Sequence, residues 1–92
     1  MNRAENDTRA EKRMALAIGA EMKRRRKALD LRQVDIADVL ELPRSSYACL
    51  ELGNFIYISA YRLLKLLAFF DITQDDLVDL VKHAEKLESE TD

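Results

Sequence analysis

The sequence predicts an all-α domain, and three observations carry that prediction. Only two glycines and one proline occur in 92 residues, too few for the turns of a β-sandwich or barrel. Apolar residues recur at three- and four-residue spacing through most of the chain. With 48% hydrophobic and 35% charged residues, enough apolar surface exists to offset chain entropy, so the chain is globular and makes one small domain.

The elements follow in order. Residues Met1 to Asp7 are polar and expected to fray, within an N-terminal arm covering 1–13. Thr8 and Glu11 have capping-box spacing, so the first helix is expected to open there and carry Met14, Ile18, Met22 and Leu29 on its apolar side. Asp30-Leu31 breaks it. A second helix is expected over Gln33–Leu40, with Val34, Ile36, Ala37 and Leu40 apolar. Pro43 then fits the first turn of a third helix, Arg44–Leu52, which Gly53 closes with a left-handed cap. Asn54–Ile58 is a connector. Ser59 caps a fourth helix, Ala60–Phe70, and Thr73 with Asp76 opens a fifth. Leu77, Leu80, Val81, Ala84 and Leu87 line that last helix; the domain spans 14–88, and 89–92 reads as an acidic tail.

Chemistry-bearing patterns are missing. One cysteine and one histidine supply neither a disulfide nor a zinc site. No glycine-rich phosphate loop, H-E-x-x-H or G-x-S-x-G pattern occurs. His83 falls on the polar side of the fifth helix, as a solvated residue. An enzyme is not expected, and no cofactor is. No run of 18 apolar residues and no apolar signal core is found, so a soluble, cytoplasmic chain without a membrane partner is expected.

The net charge of −2 argues against a nucleic-acid partner, but the charge is unevenly placed. Residues 1–65 hold 13 Lys/Arg against 9 Asp/Glu, a net of +4, whereas residues 66–92 hold 2 against 8, a net of −6. A basic front and an acidic back fit a molecule that meets a polyanion with one face. The run Lys23–Lys27 looks like a phosphate-binding patch, yet five consecutive helical residues point in every direction and cannot form one stripe.

The informative unit is the pair of short helices at 33–40 and 44–52. A three-residue connection forces them to cross steeply and presents residues 44, 45, 46 and 49 outward. Arginine and serines there can donate to base edges and phosphates. Spacing alone equally allows a plain corner in a small bundle.

Further residues bear on that choice. They are Ile18-Gly19, Arg25-Arg26-Lys27, Leu29, Leu31, Gln33, Ile36-Ala37, Arg44-Ser45-Ser46, Leu50-Glu51-x-Gly53, Leu63-Leu64-Lys65 and Asp75-Asp76-Leu77. In that order the segment Ile18–Val78, about two-thirds of the chain, resembles the Cro/C1-type (XRE) helix-turn-helix regulators. The resemblance implies a five-helix, lambda-repressor-like domain with the helix-turn-helix at 33–52 and its second helix in the major groove. It implies that Gln33 braces a phosphate, that Arg44, Ser45 and Cys49 point at bases, and that Ser46 and Asn54 lie near the backbone. It also implies a buried ion pair between Arg26 and Glu51.

The chain departs from the family pattern at four places. Glu41 stands where glycine is common, Arg32 where a capping Ser/Thr is usual, and Cys49 where a polar base reader is common. Arg32 loses a cap but adds a cation close to where a phosphate would lie. Cys49 is a poor donor, left to read a thymine methyl or nothing; packing and redox control are the other readings of its thiol. The usually polar connector is replaced by Phe55, Ile56, Tyr57 and Ile58, hard to bury together and therefore expected at a two-fold dimer interface, with Leu80, Ala84 and Leu87 available beside it or packed on the domain's own core. The expected function is a sequence-specific transcriptional regulator, a repressor binding palindromic operator DNA as a homodimer. The alternative is an antitoxin or other interaction module whose acidic fifth helix binds a partner protein.

Overall fold

A computed structural model of the chain describes residues 3–55 and 58–91. Among them five helices form: α1 (Arg3–Ala28), α2 (Gln33–Leu40), α3 (Arg44–Glu51), α4 (Ala60–Phe69) and α5 (Gln74–Thr91). No strand occurs among the described residues, so the fold is all-α as expected. No described helix is long and apolar enough to cross a membrane.

Helix α1 begins well before Thr8, which therefore lies inside it rather than at its start. Ala4 and Glu5 are good helix formers and no Gly or Pro interrupts this stretch, so nothing stops the helix from propagating toward the N-terminus. The arm expected over 1–13 is thus helix from Arg3 onward. At the other end Leu29 falls outside α1 and is 56% exposed, contrary to its expected place on the apolar face. Asp30 ends the helix in the left-handed region, at φ 57°. The tail expected over 89–92 is likewise helical through Thr91.

The core gathers Met22 of α1, Ile36, Ala37 and Leu40 of α2, Tyr47 and Leu50 of α3, Leu66 and Leu67 of α4, and Phe70 and Ile72 beyond it. Each fully buried aliphatic side chain of this size contributes about 1.5–3 kcal/mol. Helix α1 packs against both α5 and α3. Gly19 makes the second contact possible: a Cβ there would come within 2.6 Å of the carbonyl oxygens of Leu50 and Glu51.

The remaining ends explain how α3 is held. Glu41 is left-handed (φ 57°, ψ 44°), a conformation that costs a non-glycine residue about 1–2 kcal/mol. In return Leu42 donates to the Ala37 carbonyl at 2.9 Å, closing α2. Pro43 sits one position earlier than expected, at the N-cap of α3 rather than in its first turn. The Pro43 carbonyl accepts from Ser46 and Tyr47 at 3.0 and 3.2 Å. Leu52 caps α3, and Gly53 follows at φ +90°, as its expected left-handed role requires. Both expected caps further on are present: Ser59 Oγ accepts from the Arg62 N–H at 3.2 Å, and Thr73 and Asp76 exchange bonds of 2.9 and 3.2 Å.

Candidate nucleic-acid interface

Between α2 and α3 lies only Glu41–Pro43, and the two helices pack on each other. Tyr47, Leu50 and Glu51 turn into the protein, so Arg44, Ser45, Ser46 and Cys49 are left exposed along the opposite side of α3. Proline at the N-cap offers no side-chain acceptor, and the first turn of α3 carries no acidic residue. The start of α3 is therefore an open, positively biased end with a guanidinium and two hydroxyls.

Of the predicted contact residues, Ser46, Cys49 and Asn54 come together around one cleft of about 170 Å³, completed by Leu42, Leu50 and Ile58. Arg32 and Gln33 stand apart from them, at the start of α2. Arg32 has no capping side chain, but the Asp35 carboxylate accepts from its backbone N–H at 2.8 Å. The guanidinium turns back onto the same carboxylate at 3.1 and 3.4 Å. That hydrogen bond holds the Asp35 carboxyl below its ordinary value and raises Arg32.

The expected Arg26–Glu51 pair is formed and is bidentate: Nε to Oε2 at 2.6 Å and Nη2 to Oε1 at 3.1 Å. Arg26 also donates to the Leu31 carbonyl at 2.8 Å, and Gln33 Nε2 donates to Glu51 Oε1 at 3.1 Å. Burial opposes ionisation of Glu51, but Arg26, the neighbouring Tyr47 hydroxyl and Gln33 overcome it and keep the carboxyl below its ordinary value. The Tyr47 hydroxyl is buried beside this pair without a hydrogen bond of good geometry among the described residues, and burial, with the Glu51 carboxylate next to it, pushes its pKa well above 10. Gln33 thus connects the first residue of α2 to the last residue of α3.

The basic run divides as its geometry requires. Arg24 pairs with Glu21, its Nε at 3.1 Å. Arg25 reaches Glu21 at 2.8 Å, the Phe70 carbonyl at 2.7 Å and Asp76 at 3.2 Å, so it fastens α1 to the end of α4 and the start of α5. Its two partners pull Glu21 down to about 2. Arg26 is buried in the α1–α3 pair, and Lys23 and Lys27 remain exposed. Sequence reasoning missed Asp35; the signal was its place three residues after Arg32, the spacing of a helix-start pair. It also missed Arg62, which donates to the Leu40 carbonyl at 3.0 Å and ties α4 to the end of α2. No local pattern marks that contact.

In the connector, Phe55 and Ile58 pack partly onto the core, while Ile56 and Tyr57 lie outside the described residues. Phe55 and Ile58 also line an open apolar groove of about 470 Å³ with Met14, Ile18, Leu63 and Val81. Leu80 is half-buried; the side chains of Ala84 and Leu87 are outside the described set. His83 is exposed beside Glu21, Arg25 and Asp76. No group of His, Cys, Asp and Glu among the described residues is placed to hold a metal ion. Comparison of the chain with protein-family models, curated proteins and solved structures finds no match in any of the three.

Proposed function

We propose that this chain is a sequence-specific DNA-binding regulator of the Cro/C1 type, with α2 and α3 as a helix-turn-helix and α3 entering the major groove. One observation carries the reading: the exposed side of α3 presents Arg44, Ser45, Ser46 and Cys49 from an uncapped, acid-free helix start, while its other side is fixed to α1. A rigidly mounted helix with donors at its exposed N-terminal end is what base readout requires. Arg44 reads a base, Gln33 braces a phosphate, and Ser46 and Asn54 meet the backbone near Cys49.

The chain acts as a homodimer on a palindromic operator, repressing by occupying promoter DNA. The groove beside Phe55 and Ile58 supports a contact between copies there. Selection of bound duplexes from a random pool tests both parts. A two-fold motif with half-sites about one helical turn apart is expected; a single asymmetric half-site removes the dimer, and no enrichment removes the DNA reading. Arg44→Ala then lowers affinity for the selected site by at least about tenfold, as expected for an arginine bidentate to guanine, and leaves binding to scrambled duplex nearly intact. Equal loss on both takes base reading away from Arg44.

A second reading keeps a specific observation of its own. Val78 and Val81 are each 41% exposed on α5, among Asp75, Asp79 and Glu85. An acidic helix with exposed valines fits an antitoxin or other protein-binding module, and a stoichiometric co-purifying partner released by charge substitutions on α5 supports it.

A further inference from the structure

We infer that Asp35 moderates the affinity of this chain for DNA, by holding Arg32 back from the phosphate backbone. The inference rests on the DNA-binding reading above and concerns a residue that reading does not use.

Arg32 immediately precedes α2 and its side chain is 79% exposed, the most accessible arginine in any ion pair described above. Position and exposure make it a natural phosphate ligand. Its guanidinium is nonetheless already engaged, with Nη2 3.1 Å from Asp35 Oδ1 and Nε 3.4 Å from Oδ2. The same carboxylate accepts from the Arg32 backbone N–H at 2.8 Å, so it is anchored to the chain at two points and does not simply swing away. An anion therefore already occupies the position ahead of α2, satisfying both the cation and the positive end of the helix. The exposed acids Asp38 and Glu41 follow on the same short helix and its turn.

A phosphate approaching this corner must exchange one oxyanion partner of Arg32 for another and then sit beside the carboxylate it displaced. In a loosely held, sequence-independent complex the exchange gains almost nothing, because the arginine is as well paired before as after. Such a complex is held mainly by phosphate contacts, so withholding one cation weakens it directly. In the seated complex the same pair must open before Arg32 can reach a phosphate, so the cost is carried there as well. Gln33 needs no such exchange, since its bond to Glu51 uses one amide hydrogen and leaves the other free to donate. Asp35 is thus a repulsive element that lowers affinity for every duplex, and its removal appears as tighter binding with a steeper salt dependence.

Asp35→Asn tests this, because it is nearly isosteric, keeps an acceptor for the Arg32 N–H and removes the charge. Binding to the selected site and to a scrambled duplex is measured by fluorescence anisotropy across a salt series, with thermal melting as the check on folding. Expected for Asp35→Asn are binding to scrambled duplex about two- to fivefold tighter at low salt and a log–log salt dependence steeper by about one, the signature of one added phosphate contact. Affinity for the selected site is expected to rise by a similar factor, because the same pair opens in both complexes. Arg32→Ala in the Asp35→Asn background cancels the gain. An unchanged salt slope overturns the inference, as does a gain that survives removal of Arg32. If neither wild type nor variant binds any duplex at low salt, the DNA-binding reading itself fails; wild-type binding with an unmoved slope removes only the role of Asp35.

Discussion

Two arginine–carboxylate pairs flank α2, alike in chemistry and opposite in setting. Arg26 and Glu51 meet in the seam between α1 and α3 with side chains 10% and 3% exposed. Arg32 and Asp35 meet at the surface with side chains 79% and 32% exposed. The buried pair joins residues 25 apart in sequence and is extended by Leu31 and Gln33. The surface pair joins residues three apart and has water on most sides. Solvent decides what each can do. In the seam neither charge can be left alone, so the pair fixes geometry; at the surface either partner can be traded, so the pair regulates availability.

Three measurements press on that contrast. Glu51→Ala leaves Arg26 buried with only the Leu31 carbonyl and strips Gln33 of its acceptor. It is expected to cost about 3–5 kcal/mol, read as a large drop in the denaturation midpoint. A cost below about 1 kcal/mol, the range of surface pairs, makes the two pairs equivalent and ends the comparison. Acid comes next. Glu51, Glu21, Asp35 and Asp76 all lie below their ordinary values when folded. Their contribution is therefore complete above the unfolded carboxyl range, 3.8–4.5, and is lost as pH falls through the lower folded values. Tyr47, raised by burial, has the opposite sign: its contribution is complete below pH 10 and is lost above it. Melting temperature against pH should show a plateau between these limits, and Glu51→Ala should flatten its acid limb. The smallest effect is expected from Arg32→Ala, less than about 1 kcal/mol of stability; a larger loss gives Arg32 a structural duty that its exposure does not announce.

Local signals were the legible ones. The bounds of α2, the Ser59 cap and the Thr73–Asp76 box are each written within four residues, and each formed as read. Thr8 with Glu11 has the spacing of a helix start, but nothing in residues 3–7 prevents helix, and α1 runs through them. Of the predicted contact residues, Arg44, Ser45, Ser46, Cys49 and Asn54 are exposed, and three of them share a cleft. Arg25 was the harder case. Its partners Phe70 and Asp76 are 45 and 51 residues away, and a run of five basic residues gives no hint that one of them is a cross-link. Asp35 was hidden differently: a helix-start acid is so ordinary that its hold on a neighbouring arginine escapes notice.

Gly19 has a consequence for anything that docks on α3. The carbonyl oxygens of Leu50 and Glu51 occupy the space its side chain would need, so α1 and α3 meet backbone against backbone at this point. Contacts at this distance have no side chains between them to repack, and α3 has no slack in which to tilt or slide. A partner therefore meets the helix in a single attitude, with its orientational entropy already lost during folding. Affinity at that surface depends on how well the partner deforms to suit it.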